Sequence, residues 1–182
     1  MALTVYTFQT AAMASTALHG WHPGETSIQR KLGYEDAVKD DWPMIRNLMP
    51  EQHRDFHTSR SPFIPITTVD GDGRPWAAIV AGPAGEAGFV HSPDSQTLSI
   101  HARLWDGDPL LDTVKAWVDP SHAPSTVAQR SLTAGLGIEF PTRRRNKFAG
   151  TIQSVEWQSN LDYKLHLRVT QTLGYALLRS QP

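Results

Sequence analysis

From Phe63 onward the chain alternates short apolar runs with tight-turn residues, and this rhythm constrains the fold more than any other feature. The clearest run is 163–170, where Tyr163, Leu165, Leu167 and Val169 alternate with Lys164, His166, Arg168 and Thr170. A period of two puts the first set on a core face and the second on a wet or ligand-facing one. FIPITTVDGDGRPWAAIVAG carries two apolar runs around Asp70-Gly71-Asp72-Gly73, residues that tolerate positive φ, so a hairpin is expected between 63–69 and 76–81. The loop GPAGEAG, 82–88, leads to short strands expected at 89–91 and 97–101, with Ser92-Pro93-Asp94 as the turn between them. Strands are also expected at 131–140 and 144–157, after a proline-containing loop at 119–127.

Helices are expected mainly before this region. Pro23 and Gly24 make a turn, Glu25 begins a short polar helix and Gly33 ends it. A second helical piece around 34–39 stops before Pro43, and a third starts near Pro50 and closes before Pro62. Among the strands, DPLLDTVKAWV places Asp108 at the cap and Pro109 at the first helical position. Its apolar residues at 110, 111, 114, 117 and 118 predict an amphipathic helix. Six or seven antiparallel strands with hairpin connections and these helices predict a mainly β, α+β chain, a β-barrel or strongly bent sheet rather than a doubly wound fold.

The 182 residues allow one domain with one sizeable core, and 40% apolar with 19% charged residues is ordinary globular usage. A net charge of -1 provides no global basic field for nucleic acid or an anionic membrane. The chain has no cysteine, which excludes disulfides, thiolate nucleophiles and cysteine-held metals, and fits a reducing, cytoplasmic setting. Residues 1–24 lack charge but are interrupted by Thr4, Thr7, Gln9, Thr10, Ser15, Thr16 and His19, so neither signal peptide nor membrane span is expected. Residues 1–20 read as an N-terminal extension and 21–182 as the folded domain.

GDGRPW at 71–76 begins like a dinucleotide fingerprint but lacks the third glycine and a following helix; it is a hairpin turn. There is no GxSxG elbow, GxxxxGK loop or HExxH. His53 and His57 stand four apart on the expected third helix, a chelating spacing, but with no third ligand in view a solvated helix face is expected. His19 and His22 flank Trp21 in a turn and read as structural, while His91 and Ser92 sit at a strand end where function is as ordinary as structure.

PTRRRNKFAG, 141–150, places three consecutive arginines between a proline and a glycine. On a strand Arg143 and Arg145 point one way and Arg144 the other. Two explanations stay open: an edge strand kept soluble by charge, or guanidinium forks that bind a phosphate or an electron-rich ring edge. A nucleic-acid role is disfavoured, because one short cluster in a near-neutral chain has no recognition helix and no RNP-type motif beside it.

WHPGETSIQRKLG, MPEQHRDFH, VDGDGRPWAAIVAGPAG with GFVHSPD, and GLGIEFPTRRRNKFAG resemble successive signature segments of the pyridoxamine 5'-phosphate oxidase-like FMN-binding split barrels. The similarity spans roughly residues 20–175 and is closest to the subgroup found alone or ahead of a ferredoxin reductase-like module. It implies a six-stranded antiparallel split barrel, a homodimer, and FMN at the subunit interface. It further implies that Arg74, Trp76, Ala77, Ala78 and Ile79 lie along the flavin ring. His91 and Ser92 would then be phosphate-side polar groups, with Arg144, Arg145, Asn146 and Gln171 completing the cofactor site. The implied activity is an FMN-dependent oxidoreductase passing electrons between a donor such as NAD(P)H and an acceptor, with no residue assignable as a catalytic acid or base and no metal. Three departures from the pattern stand out: Ala78 where serine is common, Ala149 where asparagine is common, and TLGYALLRSQP after Gln171 where a polar Asn-Cys-Pro segment is common. Two alternatives therefore stay open: a non-catalytic binding or dimerisation module that has lost flavin turnover, or a barrel for another planar ligand such as haem with His91, His101 or His166 as axial ligand.

Overall fold

The computed structural model describes residues 18–70, 72–118, 132–159 and 161–174. The expected loop at 119–127, most of the N-terminal extension and the chain beyond Gly174 lie outside them. Four α-helices, α1 (Pro23–Lys31), α2 (Glu35–Val38), α3 (Glu51–Ser59) and α4 (Pro109–Val118), accompany seven strands. The strands are β1 (Phe63–Val69), β2 (Pro75–Ala81), β3 (Val90–His91), β4 (Thr97–Arg103), β5 (Leu132–Glu139), β6 (Arg144–Ser159) and β7 (Asp162–Gly174). A 3-10 turn at Trp42–Met44 precedes α3.

Local chemistry explains most boundaries. α1 starts two residues before the expected Glu25, because Pro23 suits the first turn and His22 caps it. His22 Nδ1 accepts from the Gly24 N–H while the Glu25 carboxylate accepts from the His22 N–H. At α4, Asp108 Oδ1 accepts from the Leu110 N–H, the cap expected from the sequence. The β1–β2 turn is held by Asp70, whose Oδ1 accepts from the Asp72 and Arg74 backbone N–H groups, and Gly73 supplies a φ of 83°.

All strand pairings are antiparallel, in the order β2-β1-β5-β6-β7-β4-β3. One further pair, Ala81 with Arg103, joins β2 to β4 and closes a six-stranded barrel. The free edge of β4 is therefore shared: Arg103 meets β2, while Ile100 and Ser99 meet β3. This is the split barrel expected from the sequence, with β3 as an additional strand.

The interior follows the period-two code. Ile64 and Ile66 from β1, Leu98 and Ile100 from β4, and Leu165, Leu167 and Val169 from β7 are buried in one cluster, into which α4 inserts Leu110, Leu111 and Val114. At β6 the ladder slips: Ala149 pairs with Gln171 but Gly150 pairs with Val169, so Thr170 is the extra residue of a bulge. The slip turns Gln171 onto the exposed face beside Ala149. It also brings backbone so close to Gly150 that a Cβ there would stand 1.9 Å from the Arg168 carbonyl oxygen. Gly150→Ala is expected to destabilise the fold by about 3 kcal/mol, seen as a lower urea midpoint with an unchanged slope.

Candidate functional site

Where β1, β5, β6 and β7 lie side by side, part of the outer barrel face carries mainly short and apolar side chains. Pro65, Thr67, Ala134, Leu136, Ala149 and Leu173 border a cavity of about 450 Å³ there, reached also by Ala77, Gln171 and Lys147. A smaller hollow of about 290 Å³ continues past Val69, Leu132 and Thr151. Beside them Ile79 is 61% and Leu132 49% exposed, an apolar surface of the kind that marks a contact or ligand site.

At one end of this face, Thr142, Arg143, Arg144, Arg145, Lys147 and Gly174 border a second cavity of about 580 Å³. Lys147 and Leu173 border both cavities, so the basic one adjoins the apolar one. The arginines do not all follow strand alternation. Arg143 sits in the β5–β6 turn with a φ of 56°, and β6 begins only at Arg144. Arg145 and Lys147 are exposed, whereas Arg144 lies on the inner side with Asn146 and Phe148. Its guanidinium rests 5.0 Å from the centre of the Phe56 ring and Nη2 donates to the Gln52 carbonyl at 3.3 Å. Among the described residues none of these four cations is ion-paired. Glu139, which feels the charge of Arg144, is occupied: Thr142 Oγ1 donates to its Oε2 and Arg60 binds Oε1 at 3.1 Å. Those contacts hold its carboxyl below the usual range.

His53 and His57 correct the expectation of a solvated face: they are 7% and 1% exposed. α3 turns them inward, where His57 meets the Phe56 and Phe148 rings edge-on at 5.7 and 5.3 Å between centroids. Gly137 leaves the space, since a Cβ there would lie 2.9 Å from His57 Nδ1. Burial first, then the charges of His53 and Arg144, push the His57 imidazole down to about 3. Burial and Arg144 also lower His53. No group of three metal-ligating side chains occurs among the described residues.

The other residues named from the sequence fall into separate places. Ala77 and Gln171 meet at the apolar cavity, Arg144 and Arg145 at the basic one, and Asn146 is fully buried behind the latter. Ile79 is exposed beside the apolar face, but Ala78 packs on the core. Arg74 is paired with Asp70 and Asp72, and Trp76 Nε1 donates to Asp70 Oδ2 at 2.7 Å. That hairpin end aligns with Thr133, six residues along β5 from Glu139, so it stands about 20 Å from the arginine turn. Ser92 is engaged by Arg54, which donates to its Oγ at 3.2 Å and to its carbonyl, and His91 beside it is exposed. Both ring nitrogens of His166 are occupied, by Ser99 Oγ at 2.9 Å and Glu156 Oε1 at 3.0 Å.

Lys147 and Gly174 border the basic cavity and were not anticipated there. Lys147 had a signal, since it follows Arg145 by two on the same strand face; Gly174 depends on where the end of β7 lies against β6.

No protein-family model matches the chain, and no curated protein matches it significantly. Among solved structures, two of HupZ from Group A Streptococcus are 10% and 11% identical, both with a TM-score of 0.45. They cover 70% and 72% of this chain and 99% and 95% of their own. An F420 reductase is 11% identical, with a TM-score of 0.41, covering 68% of this chain and 98% of its own. These likenesses are distant, and the chemistry of the site rests on its own geometry.

His57 is neutral when folded and titrates at the ordinary value near 6.5 when unfolded. The unfolded state therefore binds the extra proton, and the stability is present above pH 6.5 and lost as pH falls toward 3. Between pH 7 and 4.5 the wild type is expected to lose about 3 kcal/mol more than His57→Leu, measured by urea unfolding at the two pH values.

Proposed function

We propose that this chain is an FMN-dependent oxidoreductase whose flavin lies along the outer barrel face, its phosphate in the basic cavity and its ring over the apolar one. The observation that carries this is the junction at Lys147 and Leu173, where a cavity bordered by four cations adjoins one bordered mainly by apolar side chains. Such a pair of chambers suits a planar aromatic molecule with an anionic tail. Arg143 and Arg145 would bind phosphate oxygens through their guanidinium forks, and Lys147 would supply positive charge between phosphate and ring. Thr67 and Gln171 are the polar side chains able to orient the ring edge, while Ala77, Ala134 and Ala149 leave room for its face. Bound FMN would supply the redox chemistry, taking electrons from a donor such as NAD(P)H and passing them to an acceptor.

The departures bear unequally on this proposal. Ala78 packs on the core, so a hydroxyl missing there is missing from the interior. Ala149 borders both apolar hollows and widens them. The exposed Ile79 and Leu132 suit a second copy of the chain, which would cover the ring and exclude water from it.

Flavin fluorescence titration tests the cofactor. FMN is expected to bind saturably and riboflavin at least tenfold more weakly; Arg145→Ala is expected to weaken FMN about tenfold and leave riboflavin unchanged. Equal affinity for the two flavins would remove the phosphate from the basic cavity, and binding of neither would end the flavin proposal. Ile79→Glu, checked by sedimentation velocity, is expected to shift a dimeric parent toward monomer.

A further inference from the structure

Gly174 is one of the residues that border the basic cavity. A Cβ at Gly174 would lie 2.3 Å from Asn146 Oδ1 and 2.5 Å from His53 Nε2. Both atoms thus stand directly behind backbone that borders the cavity, with no side chain between. The same corner collects polar atoms that have no partner. Of six buried side-chain polar atoms without a hydrogen bond among the described residues, five belong here: His53 Nδ1, His57 Nδ1, Arg144 Nε, and Asn146 Oδ1 and Nδ2. Buried polar groups are ordinarily paired; Arg144 itself borders the cavity and the other three residues lie behind it, so a partner entering this corner would come from the cavity side.

We propose that His53 is an anion-recognition residue of the basic cavity, its Nε2 reaching past Gly174 beside the Asn146 amide and its imidazole taking a proton from solvent as the anion binds. This rests on the cavity holding an anion, as proposed above, but not on that anion being a flavin. The charged group acting on His53 is Arg144 of β6. From α3, His57 is buried and neutral; from β6, Asn146 is neutral; and β7 presents Gly174, which brings no charge. Where β3 ends, Arg54 of α3 is taken up by Ser92, and His91 is exposed. With the cavity empty of anion, burial and Arg144 both oppose an imidazolium. An anion offsets Arg144 and gives the imidazolium an oxygen to bind, and protonation makes both ring nitrogens donors. Affinity for an anion of constant charge must then rise as pH falls.

Sulfate, a dianion throughout the range, is the probe. The histidine Cε1–H resonances of the full chain are followed from pH 5 to 8 in sodium chloride and in sodium sulfate of equal ionic strength, with His53 identified by its loss in His53→Gln. His53 is expected to titrate at least one pH unit higher in sulfate. Sulfate affinity is expected to fall about tenfold across the range in the wild type and to stay flat in His53→Gln. Gly174→Ala should block the approach and weaken sulfate. If that variant does not fold, His53→Gln carries the test. Sulfate binding that Arg145→Ala weakens, but with the same pH dependence in wild type and His53→Gln, would overturn the proposal, as would no sulfate binding at all. A His53 shift in a chain that ignores FMN supports this assignment and sinks the flavin; FMN binding with His53 unmoved in sulfate does the reverse.

Discussion

The pairing of β6 with β7 is the interaction on which the rest of the molecule depends. β6 runs for 16 residues and β7 for 13, so one ladder spans from the arginine turn to the hairpin at Asp162. Strand alternation makes β6 serve two environments at once. Its inner face sends Asn146, Phe148 and Ile152 into the interior, and its outer face presents Arg145, Lys147 and Ala149 to the cavities. A register change in this ladder would exchange core and site, which is why the bulge at Gly150 matters. It re-phases β7 locally, placing Gln171 on the site face while Val169 stays in the core.

The barrel is closed by a much smaller contact. Arg103 is the residue at which β2, β4 and β7 meet: its backbone pairs with Ala81 and Asp162, and its guanidinium grips the Asp162 carboxylate at 2.9 and 3.1 Å. Because β2 claims only this end of β4, the remaining edge is left to β3, and the GPAGEAG loop carries the chain between them. β3 thereby covers a part of the β4 edge that β2 leaves open.

The charge distribution around the arginine turn is equally economical. Glu139 precedes the arginines, yet its carboxylate is held by Arg60 and Thr142 and forms no ion pair with them among the described residues. Arg144 is fixed over Phe56 and against the Gln52 carbonyl, while Arg143, Arg145 and Lys147 remain at the rim. One cation held against Phe56 and three more on the same cavity are what the proposed anion site would use.

The residues by themselves determined the strand-and-turn order, the hairpin at Asp70–Gly73, the cap of α4 and the alternation of β7, because each is set by neighbours a few positions apart. They also gave Arg144, Arg145 and Gln171 as candidates, through charge and through resemblance to a family pattern, and the structure places these three on the two adjoining cavities. What they did not determine is which of those residues meet. Arg74 and Arg145 looked like parts of one site, but antiparallel registry holds them at opposite ends of β5. His53 and His57 read as a polar helix face, and only the docking of α3 against Gly137, Phe148 and Gly174 buried them. The reason is physical: helix periodicity states that two side chains share a face, but burial depends on what packs there. Here the space was made by two glycines on distant strands.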